Sequence, residues 1–157
     1  MKTFKYNDIT ISFDETELYK IVEKHLTKNR TETGGIITGS YIDNFQTAKV
    51  INFYEPPKDS KFSRTTFERG IYGLNKVLEN EWKEGRYYLG DWHLHPYSAP
   101  IASCQDSNQL AFNSRDQDLR CPEPIMIIVG GKDNKEVSVY LYIENDIRLC
   151  KELKLNE

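Results

Sequence analysis

The chain has 157 residues, 38% of them hydrophobic and 12% aromatic, enough for one domain with a sizeable core and too short to hide a second catalytic domain. Net charge is −3 with acidic and basic residues intermixed, so no broad basic footprint marks the chain as a nucleic-acid binder. Cys104, Cys121 and Cys150 have no metal-ligand spacing and are odd in number, and no apolar run approaches the roughly 18 residues of a membrane span, so a soluble, reduced, cytoplasmic protein without a targeting leader is expected.

In chain order, residues 3–13 read as a β-hairpin turning at Asn7-Asp8. Asp14 with Glu17 forms a capping box for a helix reaching about Lys28, with Leu18, Ile21, Val22 and Leu26 on one face. His25 lies on that helix as a partly exposed residue, not as a ligand. Residues 35–41 and 47–54 read as strands, ended by Pro56-Pro57, and residues 58–63 as a polar loop. A second helix is expected from Thr65, paired with Glu68 as its cap, because Phe67, Ile71, Leu74, Leu78 and Trp82 recur at helical spacing.

Residues 87–95 follow as a strand. Its period-2 alternation points His93 and His95 to one face and turns Trp92 and Leu94 into a core. Pro96 cannot donate to a ladder and ends the strand. A helix then starts at Ser103 and runs to about Ser114, and residues 117–124 form a loop. The unbroken apolar run 125–129 reads as a buried strand, and Gly130-Gly131 and Asn134 turn it into strand 137–143 as a hairpin. The tail from Ile147 reads as an edge strand. The expectation is an α/β fold: one domain over residues 1–157, with a central, mostly antiparallel sheet flanked by helices.

The chemistry concentrates in His93-Leu94-His95-Pro96 and Ser103-Cys104-Gln105-Asp106. Two imidazoles and the Asp106 carboxylate suit zinc, and three protein ligands leave a fourth position open, as catalytic sites do. Hydrolysis of a peptide-like bond also needs a residue to shuttle protons. Glu32 is the candidate, standing just ahead of Gly34-Gly35, where two missing Cβ atoms let another backbone or a substrate approach closely. Ser103 and Asp106 also have the spacing of a helix capping box, which is compatible with ligation because a first-turn residue is held rigidly. Cys104 is expected to be a packing residue of that helix.

Together these segments resemble the JAMM motif of the JAB/MPN metalloprotease family: a glutamate ahead of a Gly-hydrophobic strand, His-x-His-Pro, seven residues to Ser, then x-x-Asp. Glu32, His93, His95, Pro96, Ser103 and Asp106 fill every position. The run Gly90 to Pro96, with Phe67, Arg69 and Trp82 ahead of it, looks most like small bacterial JAB peptidases, including those of CBASS antiphage operons. Two positions depart from the common pattern: Ala102 stands where Pro is usual, and Leu94 where Thr or Ser is common.

The resemblance implies zinc on His93, His95 and Asp106, Glu32 as the catalytic base, and Ser103 holding the oxyanion. It implies as substrate the extended C-terminal tail of a ubiquitin-like protein or of a conjugated nucleotidyltransferase. Residues 58–64 and 117–124 are the expected substrate contacts. Three alternatives stand beside this reading: a peptidase trimming sulfur-carrier proteins, a non-catalytic MPN-type binding scaffold, and a non-haem iron oxygenase using the same ligand set. A zinc deaminase is excluded, because His93 is not followed by the required glutamate and Cys121 precedes its proline.

Overall fold

The structure, a computed structural model, describes residues 1–154. The chain runs β1 (Lys2–Tyr6), β2 (Ile9–Phe13), α1 (Glu15–His25), β3 (Thr33–Ile42), β4 (Thr47–Phe53), β5 (Lys61–Phe62) and β6 (Phe67–Glu68). It continues through α2 (Leu74–Lys83), β7 (Tyr87–Leu94), α3 (Cys104–Arg115), β8 (Ile125–Gly130), β9 (Glu136–Ile143), β10 (Asp146–Leu149) and β11 (Lys151–Leu153). The large sheet has the order β10-β9-β8-β7-β3-β4-β2-β1-β11. Among the described residues only the β2–β4 and β7–β8 pairs are parallel, so the mostly antiparallel α/β architecture is as expected.

Helix α1 covers one face of the sheet, where Leu18, Ile21 and Val22 join Phe13, Ile37, Trp92, Leu94 and the odd-numbered residues of β8. Helices α2 and α3 lie on the other face. Leu74 and Leu78 pack there with Ile36 and Tyr88, and Leu110 packs with Met126 and Ile128. Both faces of β8 are therefore buried, which is why its sequence reads as unbroken apolar residues. The hairpin turns sit where predicted, with Asn7 and Gly131 at positive φ.

Four expectations change. Helix α1 ends at His25, and Asp14 caps it by accepting from the Thr16 N–H at 2.9 Å, while Glu17 pairs with Lys20 at 3.2 Å. The second helix begins at Leu74, nine residues later than expected. Ser63 captures the Thr65 and Thr66 N–H groups in a tight turn, so residues 61–68, including the end of the expected polar loop, form the β5–β6 hairpin. Gly73 at φ +79° then starts α2. Phe67 is buried off the helix, and Ile71 is exposed. Finally, the tail from Ile147 divides. β10 pairs with β9 and β11 with β1, at opposite edges of the sheet, with only Cys150 between them. Consecutive Cα atoms are 3.8 Å apart, so the sheet must roll until its two edges meet at this residue.

Beneath α2, the buried Glu81 carboxylate accepts from the Thr38 hydroxyl, from Asn52 Nδ2 at 3.0 Å, and from Arg86 Nε and Nη2, each at 3.0 Å. Burial alone would raise its pKa, but these hydrogen bonds, led by Arg86, outweigh it and hold the group at about 2. The depressed value stabilises the fold fully above the ordinary glutamate pKa of 4.5, and that contribution is lost as pH falls from there toward about 2. It amounts to roughly 3 kcal/mol at most. Urea denaturation between pH 5 and 2 is expected to show this loss, and Glu81→Gln to flatten it; an unchanged slope would contradict the assignment.

Candidate metal centre

β3 and β7 lie antiparallel, pairing Thr33 with Leu94 and Gly34 with His93. This register brings Glu32, one residue before β3, beside His95, one residue after β7. Glu32 is anchored by its N–H, which donates to Ser63 O at 2.8 Å, and the His95 N–H donates to Val129 O at 2.8 Å. Asp106 arrives on the first turn of α3. The predicted capping box is present: the Asp106 N–H donates to Ser103 Oγ at 3.1 Å, and the Ser103 N–H donates to Asp106 Oδ2 at 2.8 Å.

His93 Nδ1 lies 3.0 Å from Asp106 Oδ1. His95 Nε2 lies 3.3 Å from Asp106 Oδ2 and 3.4 Å from Glu32 Oε1. All four residues are buried. Burial raises the Glu32 pKa, with His95 opposing and Asp106 reinforcing the shift. For Asp106, burial is outweighed by the hydrogen bond with His93 and by the adjacent His95 imidazole, which hold its carboxyl well below the usual carboxylate range.

The donor set passes a chemical test for zinc. One ligand atom from each of His93, His95 and Asp106 lies within 4.8 Å of the others. The Nε2 atoms of both histidines are buried without a hydrogen-bond partner, a costly state that an ion between them would relieve. Two imidazoles and a carboxylate are ligands zinc accepts, so the residues present fit it.

A model of the prokaryotic homologs of the JAB domain matches residues 15–142. The chain belongs to the prokaryotic JAB-domain family. It is 39% identical over 122 residues to the "CD-NTase/cGAS isopeptidase" of Enterobacter hormaechei subsp. hoffmannii (strain UCI 50), covering 78% of this chain and 68% of that one. It is 33% identical over 125 residues to the protein of the same name from Escherichia coli (strain TW11681), covering 77% of this chain and 74% of that one. The solution structure of protein DSY2949 from Desulfitobacterium hafniense superposes with a TM-score of 0.64 at 15% identity, covering 88% of each chain; that likeness speaks to the JAB fold alone.

Within this JAB domain, the paired glycines serve the protein's own packing. A Cβ at Gly34 would strike Trp92 O and come within 2.7 Å of His93 Cδ2 and 3.0 Å of Phe67 Cε2, and one at Gly35 would strike Tyr54 O. Gly34→Ala is therefore expected to push the His93 ring out of place at a cost of about 1–3 kcal/mol. Metal analysis and thermal denaturation would check this, and a variant with wild-type metal content and melting temperature would refute it.

Residues 58–64 do border the site, through Ser63 against Glu32. Residues 117–124 do not: they lead into β8 at Ile125, which pairs with Gly90, while the His93 end of β7 pairs with Ile128. That loop lies at the opposite end of the strand. Cys104 is exposed at the start of α3, not packed, whereas Cys121 and Cys150 are buried and their thiols are pushed up to about 12 by burial.

Sequence reasoning missed two further neighbours. The Phe67 ring meets His93 edge-on at 5.3 Å. The Arg30 guanidinium lies 4.5 Å over the Tyr97 ring, tying the segment ahead of Glu32 to the one after His95. Neither pair has a spacing signature, because each joins segments distant in the chain.

Proposed function

We propose that this JAB-domain chain is a zinc-dependent isopeptidase that releases a CD-NTase-type nucleotidyltransferase from a conjugate made through its C-terminal tail, in antiphage defence. The observation that carries the chemistry is the approach of the Glu32 carboxylate to the buried His93, His95 and Asp106 donor set. The named activity of two relatives above 30% identity supports the substrate class.

Zinc held by His93, His95 and Asp106 would supply Lewis acidity to the scissile carbonyl and to the attacking water. Glu32 takes a proton from that water and delivers it to the leaving amine nitrogen, so one carboxylate serves as base and then as acid. Burial suits Glu32 to this double role by favouring the protonated form more than an exposed glutamate would. Ser103 Oγ accepts from the Asp106 N–H, which leaves the hydroxyl proton for the developing oxyanion. An extended tail is read through main-chain hydrogen bonds at a strand edge, and residues 58–64 are the segment bordering Glu32 where such contacts fall. Among the described residues no helix is long and apolar enough to cross a membrane.

The test is metal analysis of purified protein, with cleavage of nucleotidyltransferase and ubiquitin-like fusions carrying extended C-terminal tails. About one zinc per chain, with cutting of the nucleotidyltransferase fusion that a chelator abolishes, is expected. Cutting of ubiquitin-like or sulfur-carrier fusions alone would move the substrate, binding without cutting would favour a scaffold, and iron would sink the hydrolytic reading.

A further inference from the structure

Helix α3 brings Asp106 to the site, yet it has little apolar surface with which to hold its position. Its buried residues are Asp106, Leu110 and Asn113, one face at i, i+4 and i+7, and only the middle one is hydrophobic. Apolar burial is non-directional, so the contact of Leu110 with Met126 and Ile128 leaves the helix free to turn about that point. What lies at Asn113, two turns and about 10 Å along the axis from Asp106, then decides where the ligand falls.

Asn113 belongs to a closed ring of buried hydrogen bonds. Arg69 Nε donates to Asp91 Oδ2 at 2.5 Å, and the Tyr88 hydroxyl donates to Asp91 Oδ1 at 2.5 Å. Asn113 Nδ2 donates to the Tyr88 oxygen at 3.1 Å, and Arg69 Nη2 closes the ring by donating to Asn113 Oδ1 at 3.4 Å. Gln109 Nε2 donates to the same amide oxygen at 2.8 Å. The ring joins three segments: β7, which carries His93 two residues beyond Asp91; α3, which carries Asp106; and the stretch after β6, where Arg69 stands two residues beyond the Phe67 ring that packs on His93. Tyr88, Asp91 and Asn113 are all but inaccessible to solvent, so every hydrogen bond is made in a low-dielectric interior where its direction is enforced.

We infer that Arg69, Tyr88, Asp91 and Asn113 form a positioning clamp that sets the rotation of α3 and thereby holds Asp106 in register with His93 and His95. The clamp rests on the metallopeptidase reading above, since it acts on the metal affinity of that site. None of its members touches substrate. Loss of one hydrogen bond lets α3 turn, and the Asp106 carboxylate leaves the position from which it meets both imidazoles.

The test is the zinc dissociation constant, measured by competition with a chelating dye, together with kcat and KM. Tyr88→Phe keeps the ring volume and Asn113→Ala removes the amide; Glu81→Gln, in the separate network under α2, is the control for lost stability. Both clamp variants are expected to stay folded by far-UV circular dichroism. Each should bind zinc about tenfold more weakly, within the range lost with outer partners of metal ligands, and show lower kcat with KM unchanged. The control should keep wild-type zinc affinity. Wild-type zinc affinity in folded clamp variants, or equal weakening in the Glu81→Gln control, would overturn the clamp. Wild-type protein that neither binds zinc nor cuts would overturn the metallopeptidase reading itself, and the clamp with it.

Discussion

Glu32→Gln is expected to slow cleavage of a conjugated tail by about 10² to 10⁴-fold, the usual contribution of a positioned general acid–base group, while zinc content stays at the wild-type level. The substitution keeps the size of the side chain and removes only its ability to take a proton. Its backbone remains held, because the Glu32 N–H donates to Ser63 O whatever the side chain is. Glu32 lies beside the donor set without being one of its three closest members, so the ion does not depend on it. Paired measurements of bound zinc and single-turnover cleavage would decide the matter. Cleavage within tenfold of wild type would remove Glu32 from the proton path, and loss of zinc would make it a ligand instead.

Asp91→Leu should destabilise the fold by about 3–5 kcal/mol, because it leaves the Arg69 guanidinium buried without its counter-charge. Arg69 is 9% exposed and Asp91 is fully buried. For a domain of this length the loss corresponds to a fall in melting temperature on the order of 10 °C. Removing both charges is a different perturbation. The double variant Arg69→Met, Asp91→Leu deletes the desolvation cost along with the attraction, and it is expected to recover most of the stability. Thermal unfolding of the two singles and the double forms a cycle that checks this; additive losses would show that the pair contributes nothing beyond its separate packing.

The two expectations separate chemistry from scaffolding. The first should slow turnover in a folded protein whose metal content is unchanged. The second should lower the stability of the fold without touching a reacting atom. Between them lies the ring of Arg69, Tyr88, Asp91 and Asn113, whose loss is expected to appear in metal affinity first.

Much of this was legible in the sequence, and some could not have been. His93, His95, Ser103 and Asp106 could be picked out because their informative spacings are local: two residues put the histidines on one face of a strand, and three put Ser103 and Asp106 in one capping box; Glu32 was added mainly by the resemblance to the JAMM motif. The mostly antiparallel sheet followed from alternation and turn residues, which are also local. Where two local signals conflicted, the sequence misled. Phe67, Ile71 and Leu74 have helical spacing, yet Ser63 and the glycines at 70 and 73 broke the helix, and Phe67 became a wall of the site.

The bulge at Leu89-Gly90 is a second case. The β3–β7 register slips there, with Gly90 at φ +152° against Ile125 O. Tyr88 and Asp91, three residues apart, therefore share a face that strict alternation would deny them. The sequence by itself determined the reactive groups, their strand and helix, and the family to which they belong. Only the tertiary structure decided that Glu32 meets His95, that Arg69 ties α3 to β7, and that the sheet rolls until its edges meet at Cys150. Those contacts join residues tens of positions apart, and no periodicity records them, because they depend on register, bulges and hydrogen-bond partners that exist only once the strands have paired.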